Sequence, residues 1–114
     1  MTVPMKLDGA AAVLTGAGSG IGRATAISLA ARGCRVAVSD LDVGRAEDTA
    51  LLVRAAGGEA VSLGVDVSQQ EDLTALRDLC LHRFDRLDLV MNNVGVLAMG
   101  PPESLTPKLM TPAI

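Results

Sequence analysis

The clearest chemistry in the sequence belongs to a glycine-rich stretch. Thr15-Gly16-Ala17-Gly18-Ser19-Gly20-Ile21-Gly22 follows the apolar run Ala10 to Leu14 and leads into the helix-like segment Arg23 to Arg32. A chain that turns sharply and lets a pyrophosphate approach its backbone has no room for side chains at the closest points, which is the use of glycine there. The phosphates then meet free amides and the positive end of the following helix dipole. The spacing is T-G-x-x-x-G-x-G, with Gly16, Gly20 and Gly22 as its glycines and Gly18 as an extra. The commoner G-x-G-x-x-G pattern, started from Gly16, fails because Ile21 stands where its third glycine belongs. A glycine turn by itself also fits a plain structural loop; the strand before it and the helix after it favour a phosphate cradle.

Further polar residues fall at the ends of apolar segments. Asp40 ends the segment Cys34 to Ser39, about 20 residues beyond the loop, where an acid accepts hydrogen bonds from adenosine ribose hydroxyls and repels a 2′-phosphate. Its alternative role is to cap the next helix, which Asp42 can also do. Asp66 ends a third segment, where residue type alone leaves a turn residue as good a reading as a ligand. Asn92 and Asn93 end a fourth, and a generic polar strand end is the alternative there.

Other chemistry finds little support. The chain has no tyrosine, no tryptophan, a single Phe84 and a single His82. Cys34 and Cys80 form no C-x-x-C pair and are expected to be buried free thiols. No ligand spacing suggests a metal site, and none is expected.

The elements that must position these residues follow from periodicity. Short apolar runs at Ala10 to Leu14, Cys34 to Ser39, Ala60 to Val65 and Leu87 to Met91 read as strands. Between them, Ile21, Ala24, Ile27 and Ala31 predict the inner face of a first helix stopped by Gly33. Ala46, Ala50, Val53 and Ala56 mark a second over Gly44 to Ala56. A third is predicted to open at the S-x-x-E capping box Ser68 to Glu71, with Leu73, Leu76, Cys80 and Phe84 inside. Alternating strands and helices imply an α/β fold, a doubly wound parallel sheet of four strands in the order 3-2-1-4 with helices on both faces. Residues 1–95 read as a partial nucleotide-binding domain. Four of the five prolines (Pro101, Pro102, Pro107 and Pro112) fall after Gly100, so residues 96–114 read as a Pro-rich irregular tail.

At 114 residues, 49% apolar, 20% charged and with a net charge of −3, the chain suits one domain and neither disorder nor a nucleic-acid surface. No apolar run approaches the roughly 20 residues of a membrane span, and the start lacks a leader pattern, so no membrane partner and a cytoplasmic location are expected.

The loop spacing, Asp66-Val67 and Asn92-Asn93-Val94-Gly95 together resemble the short-chain dehydrogenase/reductase family, over about Leu7 to Gly95. Val94 departs from the family's Asn-Asn-Ala-Gly. The resemblance implies a Rossmann-type fold and hydride transfer between NAD(P) and an alcohol or carbonyl. It implies cofactor contacts at Gly16, Ser19, Gly20, Ile21, Gly22, Asp40, Leu41, Asp66, Val67, Asn93 and Gly95, with Asp66 on the adenine amino group and Asn93 beside the cofactor ribose. NAD is expected over NADP, because Asp40 meets no compensating cation at Ser19 or Leu41; Arg23, just past the loop, is the residue within reach of a phosphate. The family's active-site Ser and Tyr-x-x-x-Lys have no counterpart here, so no catalytic residue is assigned and the chain reads as truncated before a catalytic half. The alternative is a non-catalytic nucleotide-binding module or a partner-dependent fragment; another kind of nucleotide-binding α/β protein is disfavoured by the glycine spacing. Homo-oligomerisation or aggregation is expected through an exposed fourth-strand edge.

Overall fold

Four short apolar segments pair into one parallel sheet. They are β1 (Ala11–Thr15), β2 (Arg35–Asp40), β3 (Ala60–Gly64) and β4 (Leu89–Asn92), in the order β3-β2-β1-β4. Three helices carry the chain between them: α1 (Gly20–Ala31), α2 (Val43–Ala55) and α3 (Gln70–Phe84). The structure is a computed structural model that describes residues 7–93. Val94, Gly95 and the predicted tail lie outside the described residues.

β1 is buried along its whole length, as a central parallel strand covered on both faces must be. In register, Val13 lies beside Ala37 of β2 and Val90 of β4. Because side chains alternate across a strand, Ala12 and Leu14 pack with Val36, Val38, Ala26, Ala50 and Val53 under α1 and α2. Ala11, Val13 and Ala37 face the other way, toward Leu76, Cys80 and Phe84 of α3. The two thiols, Cys34 and Cys80, are free and buried. Burial is the main cause that pushes the pKa of each one up. No described helix is long and apolar enough to cross a membrane.

Ala56, expected on the inner face of the second helix, is the exposed C-cap of α2, and two further local expectations are corrected. The predicted inner face of α1 points outward: Ile21 and Ile27 are 81% and 37% exposed, and Ala24 and Ala31 are exposed too. The inner face is Gly22 and Ala26, with Leu29 and Ala30 packed beside them. Both sets satisfy helical spacing, and the contact of Gly22 with the glycine loop chooses between them. The capping box at Ser68 does not form either. The N-cap of α3 is Gln69, which makes no side-chain cap bond, and Ser68 turns its amide and hydroxyl to Asp66 Oδ1 at 2.9 and 2.6 Å. Asp72 accepts the Asp66 amide at 2.9 Å, and Glu71 and Asp72 suit the positive end of the helix.

Asp88 locks the start of β4 to β1. Its Oδ2 accepts the Ala11 N–H at 2.9 Å and Arg86 Nε at 2.7 Å, while its own amide donates to Ala11 O at 2.8 Å. The Arg86 hydrogen bond, and then the Ala11 amide, hold the Asp88 carboxyl below the usual carboxylate range. A folded-state pKa depressed in this way contributes stability above the unfolded value of about 3.9, and that stability is lost as pH falls through the folded value. Thermal melts at stepped pH are therefore expected to show stability falling below about pH 4, with a smaller fall in Asp88→Asn.

Among the described residues β4 pairs only with β1, and Val90 is 46% exposed. Beside it, Val13, Leu73, Leu76, Leu87 and Val90 line an apolar groove of about 160 Å³ between the sheet and α3.

Candidate functional site

The chain runs from β1 outward through β2 to β3, then returns under α3 to place β4 on the other side of β1. The strand order therefore reverses between β1 and β4, and a crevice at the carboxyl ends of these strands is where open α/β sheets take ligands. The glycine loop occupies that position.

Each loop glycine has a physical reason. Gly16 and Gly20 hold φ of 61° and 57°, the left-handed region that side chains disfavour. A Cβ on Gly22 would overlap the Gly16 carbonyl oxygen, so α1 sits directly on the loop. Gly18, which spacing leaves as an extra, is tightly enclosed: a Cβ there would lie 2.7 Å from both Asp40 Oδ2 and Arg45 Cβ, which would have to shift.

The loop ends at a helix terminus open to an anion. The first intrahelical bond of α1 is Arg23 N–H to Ser19 O at 3.2 Å, so the amides of Gly20, Ile21 and Gly22 have no partner within the helix. Ser19, the N-cap, makes no side-chain cap bond, and the first turn carries no acid to compete. The Ala17 amide ties the loop to β2 through Ser39 O at 2.8 Å.

Asp40, at the tip of β2, faces this loop. Its Oδ2 accepts the Gly18 N–H at 2.9 Å and its Oδ1 the Asp42 N–H at 3.0 Å. It does not cap α2; Asp42 does, accepting the Arg45 amide at 3.1 Å. Leu41 is 77% exposed, an apolar side chain left at the rim beside the acid, as Ile21 is at the start of α1.

Arg23 does not reach out from the loop. Its guanidinium donates to Gly18 O at 2.6 Å and to Thr49 Oγ1 at 2.9 Å, with a longer bond to Arg45 O at 3.5 Å. Thr49 in turn donates its hydroxyl to Ala17 O at 2.7 Å. No motif singles out Thr49, but a polar residue on the inner stripe of α2, between Ala46 and Val53, is a sequence signal that something polar lies opposite.

At the far strand ends, the Thr15 hydroxyl donates to Asn92 Oδ1 at 2.7 Å, and Asn93 brings its amide and Nδ2 to Thr15 O at 3.3 and 3.2 Å. The two asparagines thus fasten β4 to β1 beside the crevice. Asp66 heads a tight turn, and the Ser68 hydroxyl, then the Ser68 amide, lower its pKa. Val67 is buried against α3, so only its backbone is offered to a ligand. Among the described residues no group of three His, Cys, Asp or Glu side chains could hold a metal ion.

Known proteins are similar to this chain in sequence and fold. The chain is 35% identical over 91 residues to 7alpha-hydroxysteroid dehydrogenase of Escherichia coli strain K12, covering 80% of this chain and 36% of that protein. It is 39% identical over 102 residues to a probable tetrahydroxynaphthalene reductase of Zymoseptoria tritici, covering 89% and 38%. The chain thus spans well under half the length of these relatives. Among solved structures, a short chain dehydrogenase/reductase of Burkholderia phymatum in complex with NAD superposes with a TM-score of 0.78 at 41% identity, over 82% of this chain and 33% of that one. NAD+-bound xylitol dehydrogenase does so with a TM-score of 0.74 at 35% identity, over 81% and 35%. The family model described as short chain dehydrogenase matches residues 10–113, nearly the whole sequence, and with the 3-2-1-4 sheet and the glycine loop at its switch point it follows that the chain belongs to the short chain dehydrogenase family.

Proposed function

We propose that this chain forms the NAD-binding part of an oxidoreductase that transfers a hydride between the nicotinamide and an alcohol or carbonyl. The observation that carries the proposal is the uncapped, acid-free start of α1 set beside a carboxylate fixed at the tip of β2. A dinucleotide fits these residues. The amides of Gly20, Ile21 and Gly22 would receive the pyrophosphate, with Gly16 and Ser19 shaping the approach. Asp40 would accept the adenosine ribose hydroxyls and Leu41 would border the adenine. Both hydrogen bonds to Asp66 fall on Oδ1, which leaves Oδ2 for the adenine amino group, with the Val67 backbone alongside. Asn93 would border the second ribose, and Gly95, outside the described residues, is assigned there by the family motif. When bound, the nicotinamide supplies the hydride chemistry; this chain's residues bind and orient it.

NAD is the proposed cofactor over NADP. A 2′-phosphate would meet the Asp40 carboxylate, Ser19 and Leu41 offer no cation, and Arg23 is committed to Gly18 O and Thr49. Arg45 pairs with Asp42 at 3.7 Å, both side chains more than half exposed, rather than with Asp40. The absence of tyrosine from the sequence favours a second reading for the chain taken alone, a nucleotide-binding module that needs another polypeptide for catalysis. Titration calorimetry on the 114-residue chain is expected to show NADH binding about tenfold tighter than NADPH, the scale of one charged hydrogen bond. With a panel of carbonyls the same chain is expected to oxidise no NADH. Tighter binding of NADPH would overturn the cofactor assignment, and carbonyl-dependent oxidation would overturn the need for a partner.

A further inference from the structure

We infer that Thr49, braced by Arg23, is a positioning residue that sets the preference between the two dinucleotides by aiming the Asp40 carboxylate. The inference rests on the ribose role proposed for Asp40.

The connection runs through a single peptide plane. Thr49 is completely buried on the inner face of α2, and its hydroxyl donates to Ala17 O at 2.7 Å. The Ala17 carbonyl and the Gly18 N–H belong to the same planar trans peptide and point in opposite directions. That Gly18 N–H is the donor to Asp40 Oδ2 at 2.9 Å. Thr49 therefore grips one side of the plane and Asp40 grips the other, so the position of a side chain on α2 fixes the tilt of a carboxylate at the end of β2. The second oxygen of that carboxylate is held locally, by the Asp42 amide at 3.0 Å, which leaves the Gly18 amide as the contact brought from another element.

Arg23 closes the network. Its Nε donates to the Thr49 oxygen at 2.9 Å, so the hydroxyl's own hydrogen is directed to Ala17 O. Its Nη2 donates to Gly18 O at 2.6 Å, fixing the next peptide, the one that leads into Ser19, the N-cap of α1. A loop with glycine at positions 16, 18 and 20 has little intrinsic stiffness. Without these two side chains its peptides are free to rotate, and Asp40 loses the donor that orients it.

Two substitutions of Thr49 separate orientation from packing. Thr49→Val keeps the shape and removes the hydroxyl; Thr49→Ser removes a methyl and keeps the hydroxyl. Calorimetry with NADH and NADPH on the full chain is expected to show NADH binding weakened about fivefold in Thr49→Val, with NADPH unchanged, so that the preference narrows by that factor. Thr49→Ser is expected to keep the wild-type preference. A folded Thr49→Val chain with the wild-type preference, or a Thr49→Ser chain that behaves like Thr49→Val, overturns the inference and leaves the NAD assignment standing. A wild-type chain with no preference for NADH overturns both. If circular dichroism shows Thr49→Val unfolded, Arg23→Met decides. Loss of that cation alone would weaken NADPH and widen the preference, whereas release of the loop carbonyls narrows it. A folded Arg23→Met chain whose preference is unchanged or wider overturns the inference.

Discussion

Gly22→Val is expected to abolish NADH binding and to lower the unfolding temperature more than Gly20→Val does. The added Cβ would overlap Gly16 O and lie 2.8 Å from Gly16 C and 2.9 Å from Ala17 Cα. All three are backbone atoms, so no side chain can swing aside, and α1 must lift from the loop that it caps. Overpacking of this kind costs about 1–3 kcal/mol, sometimes more. In a domain of this size each kcal/mol lowers Tm by roughly 4–8 °C. Lifting α1 also moves the amides of Gly20, Ile21 and Gly22 away from one another as a phosphate site, so an affinity loss beyond about 100-fold, or 2.7 kcal/mol, is expected. Gly20→Val provides the contrast. Nothing lies within 4 Å of its Cβ, and the cost is the left-handed φ of 57°, roughly 1–2 kcal/mol and more for a branched side chain. Gly16→Val carries the same left-handed strain, at φ 61°. Thermal unfolding and calorimetry on the three variants give the order, and a folded Gly22→Val chain that binds NADH as the wild type does would show that the loop is structural only.

The second large effect belongs to Asp40. Asp40→Ala is expected to weaken NADH about tenfold and to strengthen NADPH, so that the wild-type preference is lost. Two contributions act together. The ribose hydroxyls lose a charged acceptor, a loss of about 1.5–3 kcal/mol for a hydrogen bond to an ionised group. A 2′-phosphate loses a carboxylate that repels it. The variant should still fold, because Asp42 rather than Asp40 caps α2 and the Ala17 amide keeps its bond to Ser39 O. Calorimetry with both dinucleotides checks it: an Asp40→Ala chain that retains a strong preference for NADH would remove the carboxylate from the recognition of the ribose.

Much of the candidate site is legible in the sequence. The glycine turn, the acid at the tip of β2, Asp66 and the paired asparagines all stand where one short segment meets the next, and such positions follow from local patterns of apolar residues. The strand order agreed too: right-handed crossovers narrow the choices, and the Rossmann-type resemblance selects 3-2-1-4 over the flavodoxin-like 2-1-3-4. Element boundaries differ from their expected positions by one to three residues, as at β4, which begins at Leu89 rather than Leu87.

The sequence by itself determined the order of strands and helices, the glycine loop and the family, because each depends on neighbours within a turn or a pleat. The tertiary structure alone decided which face of α1 is buried. Ile21, Ala24, Ile27 and Ala31 and the true inner set Gly22, Ala26, Leu29 and Ala30 both have helical spacing, and only the contact of Gly22 with Gly16 fixes the rotation. It decided that Ser68 serves the Asp66 turn instead of capping α3, since a hydroxyl goes to whichever acceptor the fold brings near. It also decided that Gly18 is closely enclosed by Asp40 and Arg45 and that Thr49 holds the loop, through a hydrogen bond between residues 32 positions apart in the chain. The stripe of α2 marks Thr49 as a polar residue facing inward but not its partner, because that contact is set by how α2 and the loop dock on the sheet rather than by the order of residues in either.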